Sequence, residues 1–278
     1  MSHHHHQGEA ERHFSASFFV IVITASLALL YASVAFFAPN TFLGEARVGW
    51  LSLAIAFLAV HLANSFVEFF FHRYVLHAPV VPFLAYFYRQ HTLHHALTRV
   101  RPPRGGSGVD NKFPIIEEEQ HEASFFPAYS PLLFALLATP MFALVKWLWP
   151  EVPVFLPGYA AIMWSLSLYE LLHALEHKPV KDWEPLLEHP KFGGFWKTVY
   201  AFHLRHHADI HSNESISGFF GIPVPDFVFG TWVNPNTLYE HGTYVHQVEF
   251  RPPSPRLIGW LDRYAAMTVR KRRAHGAS

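Results

Sequence analysis

Polar and apolar positions along this chain segregate into long blocks, with little of the short alternation of a soluble core. Phe14 to Phe37 and Val48 to Val67 contain no Asp, Glu, Lys or Arg, and neither do Tyr129 to Val145 and Val152 to Tyr169. Each block approaches the roughly 20 residues needed to cross hydrocarbon. The pattern predicts an all-α integral membrane protein with four transmembrane helices in two hairpins, joined to a cytoplasmic, histidine-rich helical cap. The divisions that follow are an N-terminal tail (1–13), a first hairpin (14–71), a cytoplasmic segment (72–128) and a second hairpin (129–172). A cytoplasmic cap (173–249) and a C-terminal amphipathic helix with a basic tail (250–278) complete the chain. The first block is too long for the apolar stretch of a secretory signal and no small-residue cleavage site closes it before Pro39, so it is expected to stay in the mature chain.

Composition agrees: 51% of the residues are hydrophobic, 17% aromatic and only 15% charged. Of the Lys and Arg residues only Arg47 and Lys146 fall near the two short connections between paired blocks. The other basic residues share a side with both termini, and the positive-inside rule makes that side cytoplasmic. A formal net charge of zero argues against nucleic-acid binding. The absence of cysteine leaves nitrogen and oxygen as the donors for any metal.

The candidate chemistry lies in histidine. The pairs His72/His77 and His173/His177 and the triplets His91/His94/His95 and His203/His206/His207 all fall where the chain returns to the cytoplasmic side. On a helix, positions i, i+3 and i+4 share a face, so each triplet gathers its imidazoles. His72 and His77 lie about 140° apart on an ideal helix, so they either straddle two ions or sit where the helix unwinds. Ten imidazoles exceed what one ion uses, and two ions sharing them is the economical reading. Glu68, Glu170 and Glu176 lie close enough in sequence to orient ligating rings, and Asn213 is placed to reach a metal-bound water. His61, with Asn64 nearby, lies about 16 Å deeper than His72 and is assigned an intramembrane hydrogen bond to another helix, with a tunnel-lining role as the alternative. His121, His189, His211, His241 and His246 lack the spacing and are assigned to the surface. The His-rich start Met1 to His6 is set aside as a tag or natural start.

Four motifs carry a resemblance. HRYVLH (His72 to His77), HTLHH (His91 to His95), HALEH (His173 to His177) and HLRHH (His203 to His207) are similar, in order and spacing, to the histidine boxes of the fatty acid hydroxylase superfamily, and PDFVFGTW (Pro225 to Trp232) resembles the segment after its last box. The resemblance covers roughly Val67 to Trp232. It implies a non-haem di-iron site, with zinc able to fill the same cage, that uses O2 to hydroxylate or desaturate a lipid. A fatty acyl chain or sphingolipid is the first expectation for the substrate, and a carotenoid or sterol the alternative. Departures are the 25 residues between His177 and His203 and an enlarged loop after His95. With no fused cytochrome b5-like domain, electrons are expected from a separate donor such as cytochrome b5 or ferredoxin. A site just outside the hydrocarbon favours attack near the head end of the lipid.

Other segments have plainer readings. Arg101 to Pro114 reads as a loop. The acidic run Glu117 to Glu119 with Glu122 reads as a solvated loop face or a docking patch for a basic donor. Trp183, Phe192, Phe195, Trp196 and Tyr200 read as interfacial anchors, and Leu257 to Val269, followed by Arg270 to Arg273, as a surface helix on anionic lipid. A metal transporter is the non-enzymatic alternative, but such sites sit near the midplane and only His61 is deep. A zinc hydrolase would want an HExxH pattern that is missing.

Overall fold

The computed structural model describes residues 16–102, 108–240 and 242–276. The tail expected at 1–13, Met1 to His6 and His241 lie outside the described residues. Helices dominate: α1 (Ala16–Phe37), α2 (Pro39–Ala46), α3 (Trp50–Phe71), α4 (Ala85–Leu97), α5 (Glu118–Ser124), α6 (Ser130–Leu148), α7 (Phe155–Glu176), α8 (Val180–Leu187), α9 (Gly193–Ala208), α10 (Val224–Phe229) and α11 (Arg256–Gly276). Where a loop was expected from Arg101 to Pro114, Val100–Arg101 (β1) and Asp110–Asn111 (β2) pair antiparallel.

Three helical stretches are long and apolar enough to cross a membrane: Ser17–Phe37, Trp50–Leu76 and Ser130–Leu148. Their outer faces carry exposed Phe18, Ile21, Ile55, Val67, Leu136 and Met141, apolar surface that water would not favour. The fourth apolar block falls on α7, which does not meet that standard because Ser165, Ser167, Glu170 and His173 interrupt it. Instead α7 packs against α1, α3 and α6, burying Gly158, Tyr159, Ala161, Ile162 and Met163. At Gly158 the Phe142 ring comes so close that an added Cβ would lie 2.6 Å from it. The start of α7 is held by Glu45 of α2, whose buried carboxylate accepts from the backbone N–H of Val154, Phe155 and Leu156 at 2.9–3.3 Å. Those donors have no partner inside the helix, and an anion there also meets the positive end of the helix dipole.

Beyond the bundle, α8 and α9 pack on the β1–β2 hairpin around Val100, Val109, Phe113, Trp183, Leu187, Tyr200 and Leu204. Trp183 and Tyr200 are therefore core residues, contrary to the anchoring expectation, because their rings meet at 5.5 Å inside this cluster. Phe192 and Phe195 remain exposed. The acidic run forms α5 and not a loop: Glu117 caps it, and Gln120 Oε1 accepts from the Glu117 N–H at 2.9 Å.

The C-terminal segment forms the helix expected of it. On one side of α11, Ile258 and Ala265 are buried; on the other, Leu257, Trp260, Tyr264 and Met267 are exposed. It is fastened to the end of α3 by Asp262, which accepts from Arg73 Nε and Nη2 at 2.8 and 2.7 Å and from the Tyr74 hydroxyl at 3.0 Å.

Candidate metal centre

All ten clustered histidines converge, and they divide into two groups of five. His72, His77, His91, His95 and His206 form one; His94, His173, His177, His203 and His207 form the other. Within each group the candidate ligand atoms lie within 4.8 Å of one another. The triplets do not act as units. In α4, His91 and His95 go to one group and His94 to the other; in α9, His203 and His207 stay together and His206 crosses. Helix geometry explains the division, since i and i+4 point about 40° apart while the residue between them lies on the far side of the first. His95 and His207 stack at 4.0 Å across the border between the groups.

The HRYVL segment resolves the placement of His72 and His77. His72–Leu76 is a π-helical turn continuing α3, closed by the His77 N–H donating to the His72 carbonyl at 3.0 Å. The wider i→i+5 turn brings residues five apart onto one face. Their rings stack at 4.9 Å, both in the first group, so they do not straddle two ions.

The rings have defined orientations. Nε2 atoms face inward, with His72 and His91 2.9 Å apart, His77 and His206 3.0 Å, His94 and His173 3.2 Å, and His177 and His203 3.1 Å. Two nitrogens bound at right angles to one ion, each about 2.1 Å from it, lie about 3.0 Å apart. The spacing therefore fits a shared ion. On the outer side, Nδ1 of His72 donates to the Glu214 carbonyl at 2.6 Å and that of His177 to the Phe113 carbonyl at 2.6 Å. His206 uses the Ser212 carbonyl at 2.8 Å, and His207 the Thr98 carbonyl at 3.0 Å. His94 Nδ1 donates to Ser124 Oγ at 2.9 Å, which donates in turn to the Gln120 carbonyl. A proton fixed on Nδ1 leaves the Nε2 lone pair free to ligate. Burial pushes the imidazoles of His77, His91, His94, His95, His203, His206 and His207 well below their ordinary range, and their imidazole neighbours add to this; His177 is pushed down to about 3. They are neutral at physiological pH, the form that binds metal.

Carboxyl groups lie nearby and are incompletely satisfied, although Glu214 Oε1 accepts from Arg73 Nη1 at 2.7 Å. Glu170, Glu176 and Glu214 are buried, and each leaves one carboxylate oxygen without a partner. Glu170 and Glu176 stand three residues either side of His173, while Glu214 Oε2 is 3.9 Å from His72 Nδ1. An unpaired carboxylate oxygen is costly in a dry site, and cations held by neutral imidazoles would offset that cost.

Among the described residues none of the expected supporting carboxylates hydrogen-bonds a clustered ring: Glu170 Oε1 accepts from the Phe126 N–H at 3.0 Å, and the Oε2 atoms of Glu170 and Glu176 have no partner. Glu68 does not reach a ligand ring: its carboxylate accepts from the backbone N–H of Ser217 and Gly218 at 2.7 and 3.1 Å and from the Ser217 hydroxyl, bracing the loop after the last box. Asn213, at φ 54°, donates its amide N–H groups to the carbonyls of Phe202 and Val233 and accepts from the Val233 N–H at 2.7–2.9 Å, so it braces this loop. Asp226, which the sequence reading missed, receives the N–H groups of Glu214 and Ser215 and the Thr231 hydroxyl. Together these three hold Ser212 and Glu214 where their carbonyls meet His206 and His72. Backbone acceptors have no signature in sequence; the side-chain partners are the hydroxyls of Ser124 and of Thr98, the latter 3.1 Å from His207 Nδ1.

Among the remaining histidines, His61 bonds Ser165 of α7 at 2.9 Å and accepts from the Phe220 N–H at 3.1 Å, an interhelical bond as expected. Asn64 reaches the same serine at 3.2 Å. His189, His211 and His246 are exposed and His121 is partly so.

No protein-family model, curated protein or solved structure matches this chain.

Proposed function

We propose that this chain is a multi-pass membrane oxidoreductase of the fatty acid hydroxylase type, hydroxylating a lipid with O2 and electrons from a separate donor. The supporting observation is the pair of five-imidazole groups with Nε2 atoms turned inward and, in five of the ten rings, Nδ1 hydrogen-bonded on the outer side. Five nitrogen donors exceed the four that zinc takes in closed structural sites, which favours iron. One ion would be held by His72, His77, His91, His95 and His206, the other by His94, His173, His177, His203 and His207. The chemistry expected of a bound iron pair is reduction of O2 with two donated electrons, one oxygen atom entering a carbon–hydrogen bond and the other leaving as water.

The protein's own residues prepare that chemistry. Backbone carbonyls and Ser124 fix the rings, the buried glutamates balance charge, and Phe113, 4.3 Å from His177, covers one side against water. In the proposed topology α7 is the fourth crossing, so both termini and the site face the cytoplasm, a placement supported by the basic residues concentrated on that side. The test is expression in an iron-supplied host and mass spectrometry of total lipids, wild type against His94→Ala. A wild-type-specific lipid heavier by one oxygen supports the proposal, and one lighter by two hydrogens makes the enzyme a desaturase. Unchanged lipids with an iron-loaded wild type would overturn it, and altered cellular metal alone would favour transport.

A further inference from the structure

The loop after the last histidine box runs down the side of α3 and back. Ser217 meets Glu68, near the end of α3, through its backbone N–H at 2.7 Å. Phe220 then donates its N–H to His61 at 3.1 Å. At 1.5 Å per residue His61 lies about 16 Å deeper than His72. There the Phe220 ring lies 4.5 Å from that of His61 and 6.0 Å from that of Trp164 in α7. The chain returns through α10, and Phe229 packs on Phe66, Phe69 and Phe70 at 5.0–6.0 Å. Half of a hydrocarbon core is about 15 Å. The loop therefore reaches the middle of Trp50–Leu76, a segment apolar enough to cross a membrane.

Three features of this stretch suit hydrocarbon. Ser215 to Pro225 contains no Asp, Glu, Lys or Arg, and Phe220, Ile222, Phe227 and Val228 are exposed. The backbone is also sealed. From Ser217 to Pro225 each N–H is hydrogen-bonded within the protein or missing because the residue is proline. Glu68 takes those of Ser217 and Gly218 and His61 that of Phe220, while Phe219, Gly221, Ile222 and Val224 use carbonyls of the loop itself. A loop in water has no need of this, whereas irregular backbone at membrane depth requires it. At the tip, Phe219 and Ile222 bond each other reciprocally, and Phe220 and Gly221 between them have φ of 53° and 80°. A bulky ring is disfavoured at the first of these positions, where Asn or Gly is usual, and such an outlier points to a demand on the side chain. We propose that 217–229 is a re-entrant segment, inserted into the leaflet on the histidine side with Phe220, Ile222, Phe227 and Val228 against lipid acyl chains. It carries Asp226, which accepts the Glu214 N–H, and Glu214 presents its carbonyl to His72. The bilayer thereby steadies one support of the first histidine group. The proposal rests on α3 crossing a membrane and is independent of the chemistry at the metals.

Since the chain has no cysteine, a single introduced one takes a nitroxide label cleanly. Ile222→Cys and Val228→Cys are compared, in phosphatidylcholine liposomes, with Leu62→Cys on the exposed side of α3 and Glu119→Cys on exposed α5. Each label is read by its collisions with dissolved oxygen and with a water-soluble nickel complex. A thermal midpoint equal to that of the unlabelled protein certifies the fold, and Phe227→Cys replaces a position that fails this check. The expected result at 222 and 228 is loss of nickel-complex collisions to the level at 62, with oxygen collisions as high as at 62 and the reverse at 119. Nickel-complex collisions equal to those at 119, at either loop position, overturn the insertion. Shielding from both reagents would place the loop inside protein and also overturns it, as does a water-accessible position 62.

Discussion

Ser124→Ala removes a ring support that consists of a side chain alone. His72, His177 and His206 use backbone carbonyls and His207 meets both the carbonyl and the hydroxyl of Thr98, whereas His94 depends on the Ser124 hydroxyl at 2.9 Å, itself anchored on the Gln120 carbonyl. Without it, the His94 N–H is left buried and unpaired, at a cost of about 1–3 kcal/mol. At about 1.4 kcal/mol per tenfold, that is a loss of about 10- to 100-fold in metal affinity, the range usual for such supporting contacts. His94 belongs to one group only, so the weakening should be selective. Titrating iron-loaded protein with a chelator and following metal content should show one ion leaving early and the second at the wild-type concentration. Simultaneous loss of both ions, or a curve identical to wild type, would refute the separation of the groups or the role of Ser124.

Other perturbations read out different parts of the account. Asp262→Asn deprives buried Arg73 of a carboxylate that is itself 31% exposed, so the cost should fall between surface and buried pairs, about 1–3 kcal/mol, and appear as faster hydrogen exchange in α11. In metal-free protein, the buried histidines lower stability on acidification. Above about pH 6.5 both folded and unfolded chains hold neutral imidazoles; below it the unfolded chain takes up protons that the folded one refuses, at up to about 1.4 kcal/mol per pH unit for each histidine. Thermal midpoints of chelator-treated protein should fall steeply between about pH 6.5 and pH 5, and a flat profile would contradict burial of neutral rings. His61→Phe breaks the bonds to Ser165 and the Phe220 N–H, costing about 0.6 to 1.7 kcal/mol in thermal stability while leaving metal content unchanged.

The gathering of the ten histidines was legible because imidazole is rare in apolar sequence and its spacing maps directly onto helix faces. The partition was half-legible: i, i+4 pairs stay together, but the crossing of His94 and His206 depends on where α4 and α9 pack. The π turn from His72 was half-legible: the spacing to His77 left either two ions or a local unwinding, and the wider turn is the second. Glu68 was misjudged since depth in a span says where a carboxylate sits and not which loop returns to meet it. Trp183 and Tyr200 look like interfacial anchors in sequence and become core residues only when the β1–β2 hairpin folds against α8 and α9. The fourth apolar block was visible, yet α7 carries polar groups because its neighbours, more than lipid, cover it.

Metal stoichiometry tests the central claim most directly. Protein purified from iron-supplied membranes, stripped of loosely held metal and analysed for iron per chain, should retain two ions, and His94→Ala together with His91→Ala should retain none. Retention of no more than one ion per chain by the folded wild type would contradict the two-group centre.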